Sequence, residues 1–100
     1  MLSIKIINGP PHVALALEGE LDLTSSAALQ AAVEGLNLDE TNSITFSLDG
    51  LEFIDSTGIG QLLGYYKSFS KRDLPVYIQN ENEEIEGVLR LIGVREIMGP

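Results

Sequence analysis

The chain has no cysteine, a single histidine and only 6 lysines and arginines among its 100 residues. Without cysteine, disulfides, thiolate zinc sites, iron–sulfur clusters and thiol nucleophiles are all excluded, and a reducing compartment is the natural setting. No apolar run approaches the ~20 residues that a membrane-spanning helix needs. The start, Met1-Leu2-Ser3-Ile4-Lys5-Ile6-Ile7, lacks the basic stretch and long apolar run of a secretory signal, so a cytoplasmic location is expected. The shortage of bases leaves 15 acidic residues largely unmatched and a formal charge of -9. Such a field repels nucleic acid and anionic membrane and favours a basic protein surface as partner. Keeping a small domain soluble is the plainer consequence of the same charge.

With 44% hydrophobic residues, the chain holds enough apolar side chains for one core, and residues 1–100 are read as a single domain. Ser3 to Ile7 reads as a short strand, Asn8-Gly9-Pro10-Pro11 as a turn, and His12 to Leu17 as a strand that pairs back on the first. In that strand Val13, Leu15 and Leu17 share one face and alanines the other. Thr24-Ser25-Ser26 offers N-caps for a helix reaching Gly35 or Leu36, whose inward face is Leu29, Ala32, Val33 and Leu36. Ser43 to Leu48 alternates as a central strand, and apolar residues Leu51, Phe53 and Ile54 carry on to Asp55. A second helix starts after Ser56 or Thr57 and runs to about Ser70 on a stripe of Ile59, Leu62, Leu63, Tyr66 and Phe69. Val76-Tyr77-Ile78 is a further strand. Asn80 to Glu84 supplies a cap and acids for a third helix facing inward through Ile85, Val88, Leu89 and Ile92, which Gly93 ends. Val94 to Met98 is a short closing segment.

The order β-β-α-β-α-β-α needs crossovers, hence an α/β fold with a mixed sheet: parallel strands joined by packed helices, plus one antiparallel hairpin. Packing helices on the sheet uses up most apolar surface and leaves little for a deep apolar ligand pocket.

Enzymatic readings find few materials. His12 has no nucleophile or orienting acid placed beside it, and an edge or surface position is expected for it. A G-x-S-x-G elbow is absent. Asp55-Ser56-Thr57-Gly58 carries its glycine one residue too late for an aspartic protease and occurs once. Neither G-x-G-x-x-G nor a phosphate-binding G-x-x-x-x-G-K-S/T is present. Gly60 and Gly64 are read as allowing close packing of the second helix on the sheet. Asp22, Asp49 and Asp55 each follow or end a strand-like run and could converge at one sheet edge, but calcium-loop spacing is missing. Solvated acids, with Asp55 shaping the strand–helix turn, are the simpler account. No metal and no cofactor are expected.

The stretch Asp55-Ser56-Thr57-Gly58-Ile59-Gly60 stands out. Two adjacent hydroxyls lie where a helix begins, with free backbone N–H groups beside them. Either could serve as a plain N-cap, contributing about 0.5–2 kcal/mol over alanine. Two are more than one cap requires, and a phosphate is electrostatically welcome at a helix N-terminus. The chemistry of phosphorylation is thus permitted, not demanded.

Three segments carry a family resemblance over nearly the whole chain. Gly19-Glu20-Leu21-Asp22 is similar to a G-E-L/I-D segment, Phe53-Ile54-Asp55-Ser56-Thr57-Gly58-Ile59-Gly60 to an aromatic-M-D-S-S/T-G-L-G hallmark, and Leu91-Ile92-Gly93-Val94 to a closing helix–glycine–leucine turn. Together they resemble a free-standing STAS domain of the anti-sigma factor antagonist family; the isoleucines at 54 and 59 depart mildly from its pattern. The resemblance implies a mixed sheet of four or five strands with helices mainly on one face. It implies a non-enzymatic protein that, unphosphorylated, binds an anti-sigma factor that is also a serine kinase and so frees a sigma factor. A PP2C-type phosphatase reverses the modification. Carried over, Ser56 is the acceptor, with Thr57 as the alternative. The partner-binding set is Asp22, Asp55, Ser56, Thr57, Gly58, Ile59 and Gly60, with Gly58 and Gly60 letting the partner approach the helix start. A STAS scaffold or nucleotide-sensing module without phosphorylation is the second reading, and a small hydrolase using Asp55 or Ser56 the last.

Overall fold

A computed structural model describes residues 1–98. Strand β1 (Leu2–Asn8) runs antiparallel to β2 (His12–Leu21), with Ile4 opposite Leu17. Helix α1 (Ser26–Glu34) and a 3-10 turn at Leu38–Glu40 lead to β3 (Ser43–Ile54), which lies parallel to β2 and pairs Val13 with Ile44 and Leu21 with Ile54. Helix α2 (Ser56–Ser70) crosses to β4 (Val76–Gln79), parallel to β3, and α3 (Glu83–Ile92) and α4 (Val94–Met98) close the described chain. The sheet order is β1-β2-β3-β4. Both crossovers, β2 to β3 and β3 to β4, step the same way across the sheet. Right-handed connections then place α1 and α2 on one face and make them run in the same direction. The expected mixed sheet is present with four strands, and α4 adds a helix where only a closing segment was expected.

The core lies between that face and the helices. Val13, Leu15 and Leu17 of β2, Ile44, Phe46 and Leu48 of β3, and Leu29, Leu62 and Leu89 of the helices are buried. Tyr65 stacks between Phe46 and Phe69, with ring centroids 5.9 Å from each. In α2 the expected stripe is buried at Ile59, Leu62 and Phe69 and half-buried at Leu63 and Tyr66.

Beyond Leu48 the period of β3 changes, because two register shifts against β2 interrupt the ladder. Ala16 faces Ser47 but Glu18 faces Gly50, and Gly19 faces Leu51 but Glu20 faces Phe53. Each shift puts one extra residue into β3, which flips the inside–outside alternation. Leu48, Leu51 and Ile54 therefore all reach the core at a spacing of three, and Phe53 is turned outward. Glu18 lies so close to Gly50 that a Cβ there would approach its Cγ to 2.7 Å.

Two helix details depart from expectation. Ser25 takes the N-cap position of α1, but its hydroxyl makes no cap bond. Instead it donates to the Glu20 carbonyl at 2.8 Å and accepts from Asp22 N–H at 3.0 Å, binding the β2–α1 loop together. Ile92, expected to face inward, is exposed: α3 ends at Gly93 in the left-handed region (φ 78), and Val94 beyond the turn enters the core in its place.

Candidate functional site

The carboxyl ends of β2 and β3 lie side by side, since Leu21 pairs with Ile54 and Asp55 N–H donates to the Leu21 carbonyl at 3.3 Å. One residue further along each chain, Asp22 and Asp55 therefore leave the sheet as neighbours.

Asp55 is the N-cap of α2. Its carboxylate Oδ1 accepts from Gly58 N–H at 2.9 Å, and its carbonyl accepts from Ile59 N–H at 3.0 Å. This settles which residue caps: the carboxylate fills the role, and neither hydroxyl is spent on it. Ser56 and Thr57 are the first two helical residues, both exposed, and among the described residues neither side chain makes a hydrogen bond. Their N–H groups are two of the unpaired donors that every helix start leaves. The first turn of α2 carries no acidic residue, so the positive end of its dipole is uncompensated apart from Asp55.

Asp22 sits in its own tight turn. Oδ1 accepts from the Thr24 hydroxyl at 2.6 Å and from Thr24 N–H at 2.9 Å. The Thr24 hydroxyl, and after it the Thr24 and Ser25 N–H groups, hold this carboxyl below its ordinary value, so it is charged across the neutral range. Asp49 does not join the other two acids. It lies inside β3, and its Oδ1 accepts from Glu81 N–H at 2.6 Å. Among the described residues no three histidine or acidic side chains cluster as a metal site. His12 is exposed at the opposite end of β2, with Nδ1 2.8 Å from Ser43 Oγ.

The glycines divide differently from the reading of the sequence. Gly58 makes the close approach: a Cβ there would come within 2.6 Å of the Leu21 carbonyl oxygen and 2.8 Å of Leu21 Cγ. Only glycine lets α2 start so near the end of β2. Gly60 and Gly64, expected to pack on the sheet, are exposed, with open space where a side chain would be.

A family model for the STAS domain matches residues 2–100. The chain belongs to the STAS-domain family. Among curated STAS relatives, an anti-sigma-B factor antagonist of Staphylococcus aureus is 28% identical over 80 residues, covering 80% of this chain and 74% of that protein. The structure of an anti-sigma factor antagonist from Mycobacterium paratuberculosis superposes with a TM-score of 0.86 at 17% identity, over 99% of this chain and 84% of that one. The Bacillus cell fate determinant SpoIIAA in its phosphorylated form superposes at 0.67 with 21% identity, over 94% and 85%. At these identities the two structures speak for the shared STAS fold.

Of the residues expected at the site, the strand ends bring together Asp22, Asp55, Ser56 and Thr57, with Gly60 one turn down the open side of α2. Ile59 is 1% exposed, part of the core, and Gly58 lies buried against Leu21. These two shape the site from below and offer no surface to a partner. One feature had no sequence signal. An open groove of about 620 Å³ runs between α1 and α2, with Thr57 among its lining residues. It lies between two helices separated by 21 residues of loop and strand, with Tyr65 and Phe69 in its lining. That geometry is not written in any periodicity.

Proposed function

We propose that this protein is an anti-sigma factor antagonist that works as a phosphorylatable binding module. Unphosphorylated, it binds an anti-sigma factor with serine-kinase activity and so releases a sigma factor. The kinase transfers a phosphoryl group to Ser56 and the complex is lost, and a PP2C-type phosphatase restores the hydroxyl. The protein is the substrate in this cycle, not the catalyst.

The observation that carries the reading is the division of labour at the start of α2. Asp55 satisfies the cap, so the Ser56 hydroxyl is exposed and uncommitted next to unpaired N–H donors. Thr57 is equally free but faces the groove between α1 and α2, which favours Ser56 as the acceptor. The relatives described above, one named an anti-sigma-B factor antagonist and one solved in a phosphorylated form, support an antagonist that undergoes phosphorylation.

The electrostatics give the switch its direction. A neutral hydroxyl enters an interface at modest cost. Phosphoserine brings roughly -1.5 to -2 charges, beside Asp22 and Asp55 on a chain already at -9. Desolvating that cluster against a surface fitted to a hydroxyl is expensive. The fold need not change, because the N-terminal end of α2 accommodates the charge.

The test is incubation with ATP and the purified anti-sigma kinase of the same organism, followed by peptide mass spectrometry. One phosphate on Ser56, absent from Ser56→Ala and retained in Thr57→Ala, is the expected result. Phosphate confined to Thr57, or none, defeats the assignment.

A further inference from the structure

The groove between α1 and α2 begins where the Ser56 site ends. On its α2 bank lie Thr57, Gln61, Gly64, Tyr65 and Ser68. These positions share one helical face and extend for about 16 Å, roughly three turns. Val33 and Leu36 face them from the α1 side.

Three observations say what covers it. First, Gly64, on the α2 bank of the groove, sits in the exposed interior of the helix with nothing among the described residues within 4 Å of a would-be Cβ. Glycine weakens an exposed helix relative to alanine, and no packing here requires it. The bare turn at Gly64 leaves room for another backbone to lie close. Second, among the described residues Gln61 Oε1 has no hydrogen-bond partner and is shut off from solvent. The amide is fixed by its nitrogen, which donates to the Ser26 carbonyl at 2.8 Å and to the Tyr65 hydroxyl oxygen at 3.0 Å. A buried acceptor without a partner is uncommon in a native fold, and this one lies in the wall of the groove. Third, the α1 side is uniformly acidic: from Asp22 to Asn42 the chain carries Asp22, Glu34, Asp39 and Glu40 and no lysine or arginine. Glu34 lines the groove itself.

We propose that this groove is the docking track for an amphipathic helix of the anti-sigma partner. Its apolar side chains lie between α1 and α2, its backbone passes close to Gly64, and basic residues flank Glu34. The inference rests on the antagonist reading and extends it from one hydroxyl to a surface. Because α1 and α2 run the same way, Glu34 lies at the far end from Ser56. The basic flank of the docked helix is therefore more than a screening length from the phosphate and does not cancel its effect.

Calorimetric titration of the purified anti-sigma kinase against wild type, Ser56→Asp, Gly64→Leu and Glu34→Lys tests this. Gly64→Leu fills the groove and is expected to weaken binding at least about tenfold, while its melting temperature stays at or above that of wild type. Glu34→Lys, at an exposed position, is expected to weaken binding several-fold and flatten its salt dependence. It keeps the test decisive should Gly64→Leu melt early. Wild-type affinity in both groove variants overturns the docking track; if Ser56→Asp alone has then lost binding, the antagonist reading stands without it. Loss in the groove variants with Ser56→Asp still binding supports the track and removes the phosphoserine switch.

Discussion

Helix α3 starts on Asn82, whose side chain accepts from Glu84 N–H at 3.0 Å and Ile85 N–H at 3.3 Å and donates to the Leu51 carbonyl at 2.9 Å. Glu83, Glu84 and Glu86 fill its first turn with negative charge. Helix α2 starts on Asp55, whose side chain accepts from Gly58 N–H alone among the described residues, and its first turn holds two hydroxyls, a glycine and no acid. One start is closed and bound into the fold, and the other is left with donors and dipole unspent. In a sequence with more than twice as many acids as bases, the absence of an acid from the first turn of α2 is the more informative fact. An anion placed there later meets a site that nothing native already fills.

The sharpest break of the comparison is Asn82→Ala. It removes two cap bonds and leaves the Leu51 carbonyl without its side-chain donor, so a loss of about 2–3 kcal/mol is expected in urea unfolding. Asp55→Ala, losing one cap bond at an exposed start, should cost about 1 kcal/mol. Equal losses in the two variants would show that the two starts are equally bound into the fold.

Much of this asymmetry was legible in the sequence, though not all of it. The apolar periods of Val13-Leu15-Leu17 and Ile44-Phe46-Leu48 gave the strands, and the paired hydroxyls after Asp55 marked a helix start, though a hydroxyl was the expected cap and the helix begins at Ser56 on the Asp55 carboxylate. Three things were hidden. The spacing of Leu48, Leu51 and Ile54 belongs to no regular strand, because the two extra residues in β3 are visible only through its pairing with β2. Gly58, Gly60 and Gly64 look alike in sequence, yet one is pressed against Leu21 and two face open space. The difference is set by which side of α2 meets the end of β2. Ser25, read as a cap by residue type, spends its hydroxyl on the Glu20 carbonyl because the loop behind it has that acceptor to satisfy.

On the α3 side, Arg95 holds the closed end together. Its guanidinium donates to both oxygens of Glu86, at 3.1 Å and 3.0 Å, and to the Ile78 carbonyl at 2.9 Å, joining α4, α3 and β4. The Glu86 side chain is 17% exposed. Arg95→Ala should cost about 2 kcal/mol. The pair also has a pH signature. Arg95, with smaller help from Asn80, holds the Glu86 carboxyl below its ordinary value near 4.5. A group whose folded value is lowered stabilises the fold at higher pH and loses that contribution as the pH falls through the folded value. Wild type should therefore lose melting temperature below about pH 4.5 more steeply than Arg95→Ala does. Parallel acid limbs in the two proteins would assign that slope to other carboxylates.

The smallest effect probes the open start directly. Ser56→Asp puts a carboxylate on the first residue of α2, near the unpaired N–H groups and the positive end of the helix dipole. That interaction is favourable by about 0.3–1 kcal/mol at low salt. Repulsion from Asp22 and Asp55 works against it, but both are only half-buried and position 56 is exposed, so solvent and salt weaken the repulsion. A melting temperature equal to or slightly above wild type is expected, with the gain shrinking as salt is added. This separates two ways of losing a partner. If Ser56→Asp were to lower stability by a kilocalorie or more, loss of binding could be charged to a damaged fold. If stability holds while binding fails, the charge itself is what the partner rejects, and the open start of α2 is a site built to receive it without cost to the rest of the molecule.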